Sequence, residues 1–120
     1  MQPLAAAARA LGKVFESGAD DVHAGEVETS LVMALCPEAI GDGAEDYVPA
    51  AGRDMIEMVP FRALAPGGVW GRPSLASKDK GEAALAAAAD ATAAYVRENF
   101  DTLARMKKRD ARGKRRRSEV

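Results

Sequence analysis

The residues of this chain that could do acid–base chemistry are concentrated in one short segment, "DDVHAGEVETS", which runs from Asp20 to Ser30. The segment contains His23, the only histidine among the 120 residues, and Glu28 five positions later. A carboxylate bonded to one imidazole nitrogen fixes the tautomer of the ring and leaves the other nitrogen to exchange protons. The types and spacing of these two residues therefore predict a histidine–glutamate pair for acid–base catalysis.

The same segment also has the composition of an ordinary helix start. Acidic side chains are favoured in the first turn of a helix, where the helix dipole is positive, and we expect a helix to begin near Glu26. Gly25 would let the backbone pass close to a ligand or a neighbouring chain. Thr29 and Ser30 could bind a substrate or cap backbone amides. The residues alone are compatible with either a structural or a catalytic role for this segment.

The elements that would position this segment are mostly helical. The spacing of apolar residues predicts one helix over residues 3–18, a second over residues 26–41 and a third that begins after Ser77. Residues 41–76 are rich in Gly, Pro and Asp, which favours loops, and residues 54–64 could hold a short strand.

The third helix has the clearest amphipathic pattern, and Ser77 is a good N-cap for it. Its predicted apolar face consists of Leu85, Ala89, Thr92, Val96, Phe100 and Leu103. Charge changes abruptly after this face: residues 1–104 contain 8 basic and 16 acidic side chains, whereas residues 105–120 contain 9 basic and 2 acidic ones. We expect residues 1–104 to form one domain and residues 105–120 a basic, disordered tail.

The centre of the second helix, residues 31–36, is apolar on every face and predicts burial on all sides. Cys36 lies in this run and is the only cysteine, so we expect a buried thiol in a reducing cytoplasm. The chain shows neither a secretory signal nor an apolar run long enough to span a bilayer. The sequence therefore predicts a soluble, cytoplasmic protein.

Two motifs resemble those of the creatininase family, the metal-dependent enzymes related to creatinine amidohydrolase. The first is "HAGEVETSLVMALCPE" at residues 23–38, and the second is "GVWGRPSLASKDKGEAALAAAADATAAYVRENF" at residues 68–100. Both occur in the family's order and at its separation. The similarity covers roughly residues 20–100.

This resemblance implies hydrolysis of the C–N bond of a small cyclic amide, with two divalent metal ions, zinc or manganese, in a homo-oligomer. It implies an α/β/α layered fold, of which this chain would be the C-terminal portion, mostly helical with one or two short strands. In that family the histidine of the first motif meets the substrate and shuttles a proton, and the glutamate supports it. Those roles would belong to His23 and Glu28, with Gly25 as the close-approach glycine and Thr29 and Ser30 structural.

Trp70 is the only tryptophan and lies between glycines in an ordered loop. An aromatic side chain there could line the substrate pocket, and we include Trp70 with Gly25 among the candidate substrate-binding residues. The alternative is a packing anchor or a subunit contact, which is the commoner role for such a residue.

The chain departs from the family at the metal site. The motifs that supply the family's ligands, Glu-x-His-Gly and Asn-Gly-His, do not occur, so we assign no metal ligand. Creatininases also carry a tryptophan four residues before the motif histidine; here that position is Ala19, which argues against creatinine as the substrate.

These departures predict a truncated amidohydrolase chain that is inactive alone. The alternative is a non-catalytic oligomerisation or interaction subunit, or a remnant, that pairs with a metal-bearing partner. Binding of nucleic acid by the basic tail is disfavoured because the body is acidic and the tail lacks interleaved aromatic residues.

Overall fold

The computed structural model describes residues 11–118, with side chains for residues 11–110. We number its α-helices α1 (Glu26–Leu35), α2 (Phe61–Leu64) and α3 (Lys78–Ser118). Short 3₁₀ helices occupy the intervening and preceding loops: Gly18–Asp20, Pro37–Ala39, Arg53–Glu57 and Pro73–Leu75. Of the predicted first helix, residues 3–10 lie outside the described residues. In the described half, residues 12–14 form a turn and residues 15–17 are not helical, so the prediction of a helix was wrong there.

The described chain is mostly helical, as expected, but the predicted strands are absent from residues 11–118. Two isolated antiparallel bridges are present instead, between His23 and Trp70 and between Tyr47 and Gly71. Residues 54–64, where a short strand was expected, form 3₁₀ and α-helical turns. The strand prediction was wrong because Pro60 has no amide hydrogen for a ladder and its fixed φ suits the position just before α2.

Helices α1 and α3 approach closely because the residues between them are small. A Cβ atom at Gly81 would overlap the carbonyl oxygen of Ser30 and lie 2.9 Å from Cβ of Ala34. Ser30 is fully buried, and its hydroxyl accepts a hydrogen bond from the Ser77 amide at 3.1 Å. The Ser77 hydroxyl accepts one from the Lys80 amide at 3.2 Å, which confirms the predicted N-cap of α3.

A small apolar core lies beside the loop that carries His23. Its buried members are Leu64, Ala65 and Trp70. Partly buried side chains complete it: Val22, Val48, Ala51, Met55, Val59 and Phe61. The rings of Phe61 and Trp70 are stacked, with centroids 6.0 Å apart, so α2 and the loop after it form one packed unit.

The middle of α1 is less buried than its composition predicts. Residues 31–34 are half-buried, Leu35 is 70% exposed, and the fully enclosed side chains of α1 are Glu26 and Ser30. Cys36 is half-buried rather than buried, and its thiol donates a hydrogen bond of 2.9 Å to Glu38. The prediction of burial on all sides was wrong for the described residues because α3 covers only one side of α1.

The part of α3 from residue 94 onward, its outer half, extends away from the core. It gives the molecule a longest dimension of 74 Å. Side chains from residue 94 to residue 110 are exposed, so most of the predicted apolar face has no cover within the described residues. The backbone is helical through Ser118, and this run contains good helix formers and no proline. The division between residues 1–104 and a disordered tail, residues 105–120, remains a prediction. No helix within residues 11–118 is both long and apolar enough to cross a membrane.

Candidate functional site

The two predicted catalytic side chains lie next to each other. Nδ1 of His23 is 3.3 Å from Oε2 of Glu28, and the two side chains are 56% and 54% exposed. Glu28 projects from the first turn of α1, and His23 lies in the loop just before it. The predicted juxtaposition is therefore present, while the catalytic roles of both residues remain predictions.

The carboxylate of Glu28 also fixes the shape of the loop between the two residues. It accepts a hydrogen bond from the amide of Ala24. Ala24 has a φ of +51°, in the left-handed region, and its amide donates to the same carboxylate that faces His23. The Thr29 hydroxyl donates a longer bond, 3.4 Å, to the carbonyl of Ala24. One side chain thus holds both the imidazole and the backbone beside it.

Asp21 caps the start of α1, a role that the sequence analysis missed. The N-cap position is Gly25, which has no side chain to accept a hydrogen bond from the exposed amides. Oδ2 of Asp21 accepts the bond from the Val27 amide instead, at 2.7 Å. Its carbonyl accepts a second bond of 3.0 Å from the guanidinium of Arg53. An aspartate a few residues before a glycine N-cap is the sequence signal that indicates this arrangement.

Gly25 is a point of close approach, as expected, but to the chain's own backbone. A Cβ atom there would overlap the Asp21 carboxylate and lie 3.0 Å from Cα of Gly71. The loop before α1 and the loop after Trp70 can therefore cross only because both residues at the crossing are glycines. Direct contact of Gly25 with a substrate remains a prediction.

A buried carboxylate, Glu26, connects the start of α1 to α3. Glu26 is 0% exposed, and its Oε2 accepts hydrogen bonds from the Glu16 amide at 2.9 Å and from the amide and hydroxyl of Ser17, each at 2.7 Å. Its Oε1 lies 2.5 Å from Nζ of Lys80. The ammonium group of Lys80 also donates to Oε1 of Glu16 and to the carbonyl of Leu75, both at 2.8 Å. Every polar atom of this buried group is therefore satisfied.

Both Glu26 and Lys80 are stabilised in their charged forms. Burial by itself would raise the pKa of Glu26, but the hydrogen bonds from Lys80, Ser17 and the Glu16 amide outweigh burial and hold its pKa below the usual range. The hydrogen bonds to Glu16 and Glu26 raise the pKa of Lys80. No local sequence pattern indicates this pair, because its members are 54 residues apart.

Trp70 holds the backbone of His23 through hydrogen bonds, and its own side chain is buried beside the loop. Its carbonyl accepts hydrogen bonds from the amides of Val22 and His23, at 2.9 and 3.1 Å, and its amide donates one of 2.9 Å to the carbonyl of His23. The indole is 2% exposed and stacks on Phe61. Phe61 in turn meets the imidazole edge-to-face, with centroids 5.6 Å apart. This geometry favours the packing-anchor reading of Trp70, and its contact with a substrate remains a prediction.

His23 faces an open cleft of about 360 Å³. The lining residues are Val22, His23, Ile56 and Phe61. Its walls are mostly apolar, His23 is the polar group among them, and the cleft is shallow and open to solvent. A second cleft of about 390 Å³, lined by residues 43–47 together with Pro66, Gly67 and Val69, contains none of the predicted site residues.

The described residues do not fit a metal centre. Among them, no group of three or more His, Cys, Asp or Glu side chains is placed to hold a metal ion. His23 has Glu28 as its carboxylate neighbour, and a zinc site normally needs at least three protein ligands. The two-metal site implied by the resemblance is therefore not formed by the described residues alone.

Comparisons with known proteins agree with the motifs. A family model described as "Creatininase: Creatinine amidohydrolase" matches residues 2–96. A creatinine amidohydrolase from Pseudomonas putida is 36% identical over 86 residues, which cover 69% of this chain and 33% of that protein, so the chain spans about a third of the length of this curated relative. No solved structure matches significantly. Because the family model covers most of its length, this chain belongs to the creatininase family.

Proposed function

We propose that this chain supplies the proton-transfer part of a creatininase-family amidohydrolase that hydrolyses a cyclic amide. The observation that carries the proposal is the 3.3 Å contact between His23 and Glu28 beside a cleft of small-molecule size. Family membership and the name of the Pseudomonas putida relative support the reaction class.

The chemistry requires a group that both takes and gives protons. Hydrolysis of a cyclic amide adds the oxygen of water to the carbonyl carbon and breaks the C–N bond, and the departing ring nitrogen must receive a proton. In the neutral ring, the carboxylate of Glu28 favours a hydrogen on Nδ1 of His23. Nε2 is then the atom that exchanges protons at the cleft, and the same carboxylate stabilises the imidazolium formed in between.

The family resemblance adds three elements to the proposal that the described residues do not contain. Two divalent metal ions, zinc or manganese, would be bound by ligands from polypeptide outside the described residues. The complete enzyme would have an α/β/α layered fold, in which a sheet covers the half-buried residues 31–34 of α1. It would also be a homo-oligomer in the cytoplasm.

The substrate would be a cyclic amide other than creatinine. Ala19, at the position of the family's gating tryptophan, is exposed in the 3₁₀ turn Gly18–Asp20. A methyl group there cannot close over a bound ring as an indole does. The cleft beside His23 would therefore accept a bulkier or differently shaped ring.

The first experiment tests the inactivity of the chain alone. The purified full-length chain is analysed for bound zinc and manganese and is then assayed with creatinine and a panel of other five- and six-membered cyclic amides. We expect no stoichiometric metal and no turnover. Metal bound one to one or two to one, together with hydrolysis that His23→Ala abolishes, would show that the chain is a complete enzyme.

The second experiment tests the catalytic pair in a metal-bearing context. The aligned 86 residues replace the corresponding segment of the Pseudomonas putida creatinine amidohydrolase, which supplies the remainder of that protein. We expect the chimera to bind metal and to hydrolyse cyclic amides. His23→Ala should lower kcat at least 100-fold without changing metal content, as loss of a general acid–base group does. A matched control, Glu82→Ala on the exposed side of α3, should leave kcat unchanged. Full activity of the His23→Ala chimera would refute the proposed role.

A non-catalytic interaction subunit is the second candidate, favoured by the uncovered apolar side chains on the outer half of α3. This reading predicts that the folded, assembled chain binds no cyclic amide. Titration of the chain with the amide panel, followed through the His23 imidazole signals, separates the two readings. Saturable shifts that Phe61→Ala removes would support the amidohydrolase reading, because Phe61 lines the cleft.

A further inference from the structure

The outer half of α3 carries a continuous apolar stripe that no described part of the chain covers. Its members are Tyr95, Val96, Phe100, Leu103 and Met106, which are 43–69% exposed. Val96, Phe100, Leu103 and Met106 follow one another at steps of four and three, which places them on one face of the helix. Tyr95, eleven positions before Met106, lies at the edge of the same face, and the surface is about three turns long. Apolar side chains gathered in this way are typical of a protein–protein contact.

The stripe lies at or beyond the end of the part that defines the family. The family model matches residues 2–96, whereas Phe100, Leu103 and Met106 follow it. The uncovered apolar side chains therefore continue past the residues that the family model matches.

Charge is distributed unevenly along α3 on the two sides of the stripe. Between residues 82 and 101 the helix carries four acidic side chains and one basic one. Between residues 105 and 118 it carries nine basic side chains and one acidic one. The helix thus has an acidic segment, residues 82–101, and a basic segment, residues 105–118, with the centre of the stripe near Phe100 close to their junction.

We propose that a second copy of this chain covers the stripe, with the two α3 helices antiparallel about a two-fold axis near Phe100. A two-fold axis there places each stripe against its own copy, which is how closed homodimers bury apolar surface. The antiparallel direction lays the basic segment of each copy along the acidic segment of the other. A parallel pair would instead bring two segments of nine basic side chains together, which like-charge repulsion opposes.

The mass of the full chain in solution tests whether the stripe holds two copies together. Sedimentation analysis should show a dimer at micromolar concentration. Phe100→Asp and Leu103→Asp should each weaken the dimer at least 100-fold. Ala94→Asp is the matched control, because it introduces the same charge on the opposite, exposed face of α3 and should leave the dimer intact. Circular dichroism checks that each variant stays helical.

Cysteine cross-linking tests the direction of the pair. In a Cys36→Ser background, the introduced thiol is the only one in the chain. Asn99→Cys lies next to the proposed axis and should form a disulfide-linked dimer on oxidation. Lys107→Cys should not, because seven residues on each side of the axis at 1.5 Å per residue separate the two thiols by about 21 Å along an antiparallel pair. Cross-linking at both positions would indicate a parallel pair and would overturn the proposed geometry.

Other occupants of the stripe have their own signatures, and each would overturn the proposal. A monomer at all concentrations up to 100 µM would do so, as would a dimer that neither aspartate variant weakens. A monomer that binds anionic vesicles or a polyanion through the stripe, with binding lost in Leu103→Asp, would assign the surface to that ligand instead. His23→Ala should not change the dimer, so the outcome is independent of the proposed catalytic function.

Discussion

The start of α1 buries a charged side chain, whereas the outer half of α3 exposes apolar side chains. At the start of α1 the chain encloses a charged group, Glu26, and satisfies it with four hydrogen bonds, one of them from Lys80. On the outer half of α3 it leaves large apolar groups in water, with Phe100 69% exposed. The first region is completed by its own chain, whereas no described part of the chain covers the second.

The candidate site is likewise held in place by contacts within the chain. The loop that carries His23 is fixed by contacts from three distant parts of the chain: the backbone of Trp70, the ring of Phe61 and the guanidinium of Arg53. Because these contacts are internal, the pairing of His23 with Glu28 should persist whether or not α3 finds a partner. Substitutions in the two regions should therefore have separable effects.

The largest effect is expected from removal of the buried carboxylate. Glu26→Ala deprives the amides of Glu16 and Ser17 of their acceptor and leaves Lys80 without its buried partner. We expect a loss of about 3 kcal/mol in the free energy of unfolding, as is typical when one member of a buried ion pair is deleted. Urea denaturation followed by circular dichroism measures it. A loss no greater than that of Glu82→Ala, in an exposed pair, would contradict the structural role of Glu26.

A smaller loss is expected where the two loops cross. Gly25→Ala places a methyl group against Asp21 and the Gly71 backbone, so one of the loops must shift. Overpacking of this kind costs about 1–3 kcal/mol. Gly67→Ala is the matched control, since nothing lies within 4 Å of its added Cβ. Equal stability of the two variants would show that the crossing is looser than the structure indicates.

The buried pair also predicts the direction of the pH dependence. Because the folded pKa of Glu26 lies below its ordinary value of 4.5, its stabilising contribution is complete above pH 4.5 and is lost as pH falls through the lowered pKa. The pKa of Lys80 is raised from 10.5, so its contribution is complete below that pH and is lost as pH rises through the raised value.

Thermal melts over a pH series test this behaviour. We expect Glu26→Gln to weaken the fall in Tm on the acid side without abolishing it, since the pKa values of Asp46 and Glu38 are lowered as well, by Ser74 and Cys36 respectively. An acid limb that Glu26→Gln leaves unchanged would show that other carboxyl groups account for the whole effect.

The smallest effect is expected from the exposed ion pair on α3. Lys78 and Glu82 are 3.6 Å apart and more than half exposed, so solvent and salt screen their attraction. Lys78→Ala should leave Tm unchanged within error. Lys80→Ala, two residues away, should lower it clearly because its partner is enclosed. Equal Tm values for the two lysine variants would contradict the larger stabilising contribution expected of Lys80.

Local features of the structure could be predicted from the sequence. The start of α1 at Glu26, the cap at Ser77 and the contact of His23 with Glu28 all depend on residues at most a few positions apart, whose spacing carries the information. The family motifs carried further information, because they identify a fold that composition and periodicity do not.

Features that depend on distant residues could not be predicted in this way. Lys80 reaches Glu26 across 54 positions, and Phe61 reaches His23 from a helix whose segment was expected to contain a strand. The burial of Trp70 likewise depends on how α2 packs beside it. No periodic sequence pattern predicts these contacts, because they depend on the tertiary arrangement and not on spacing along the chain.

The imidazole signals of His23 give the most direct test of the account, and they are easy to assign because the chain has one histidine. In ¹⁵N NMR spectra of the neutral ring, we expect the tautomer with hydrogen on Nδ1 to predominate. Glu28→Ala should shift the population toward hydrogen on Nε2, while Glu82→Ala should not. A ring that carries its hydrogen on Nε2 in the unmodified chain, or that is indifferent to the loss of Glu28, would contradict the proposed pair.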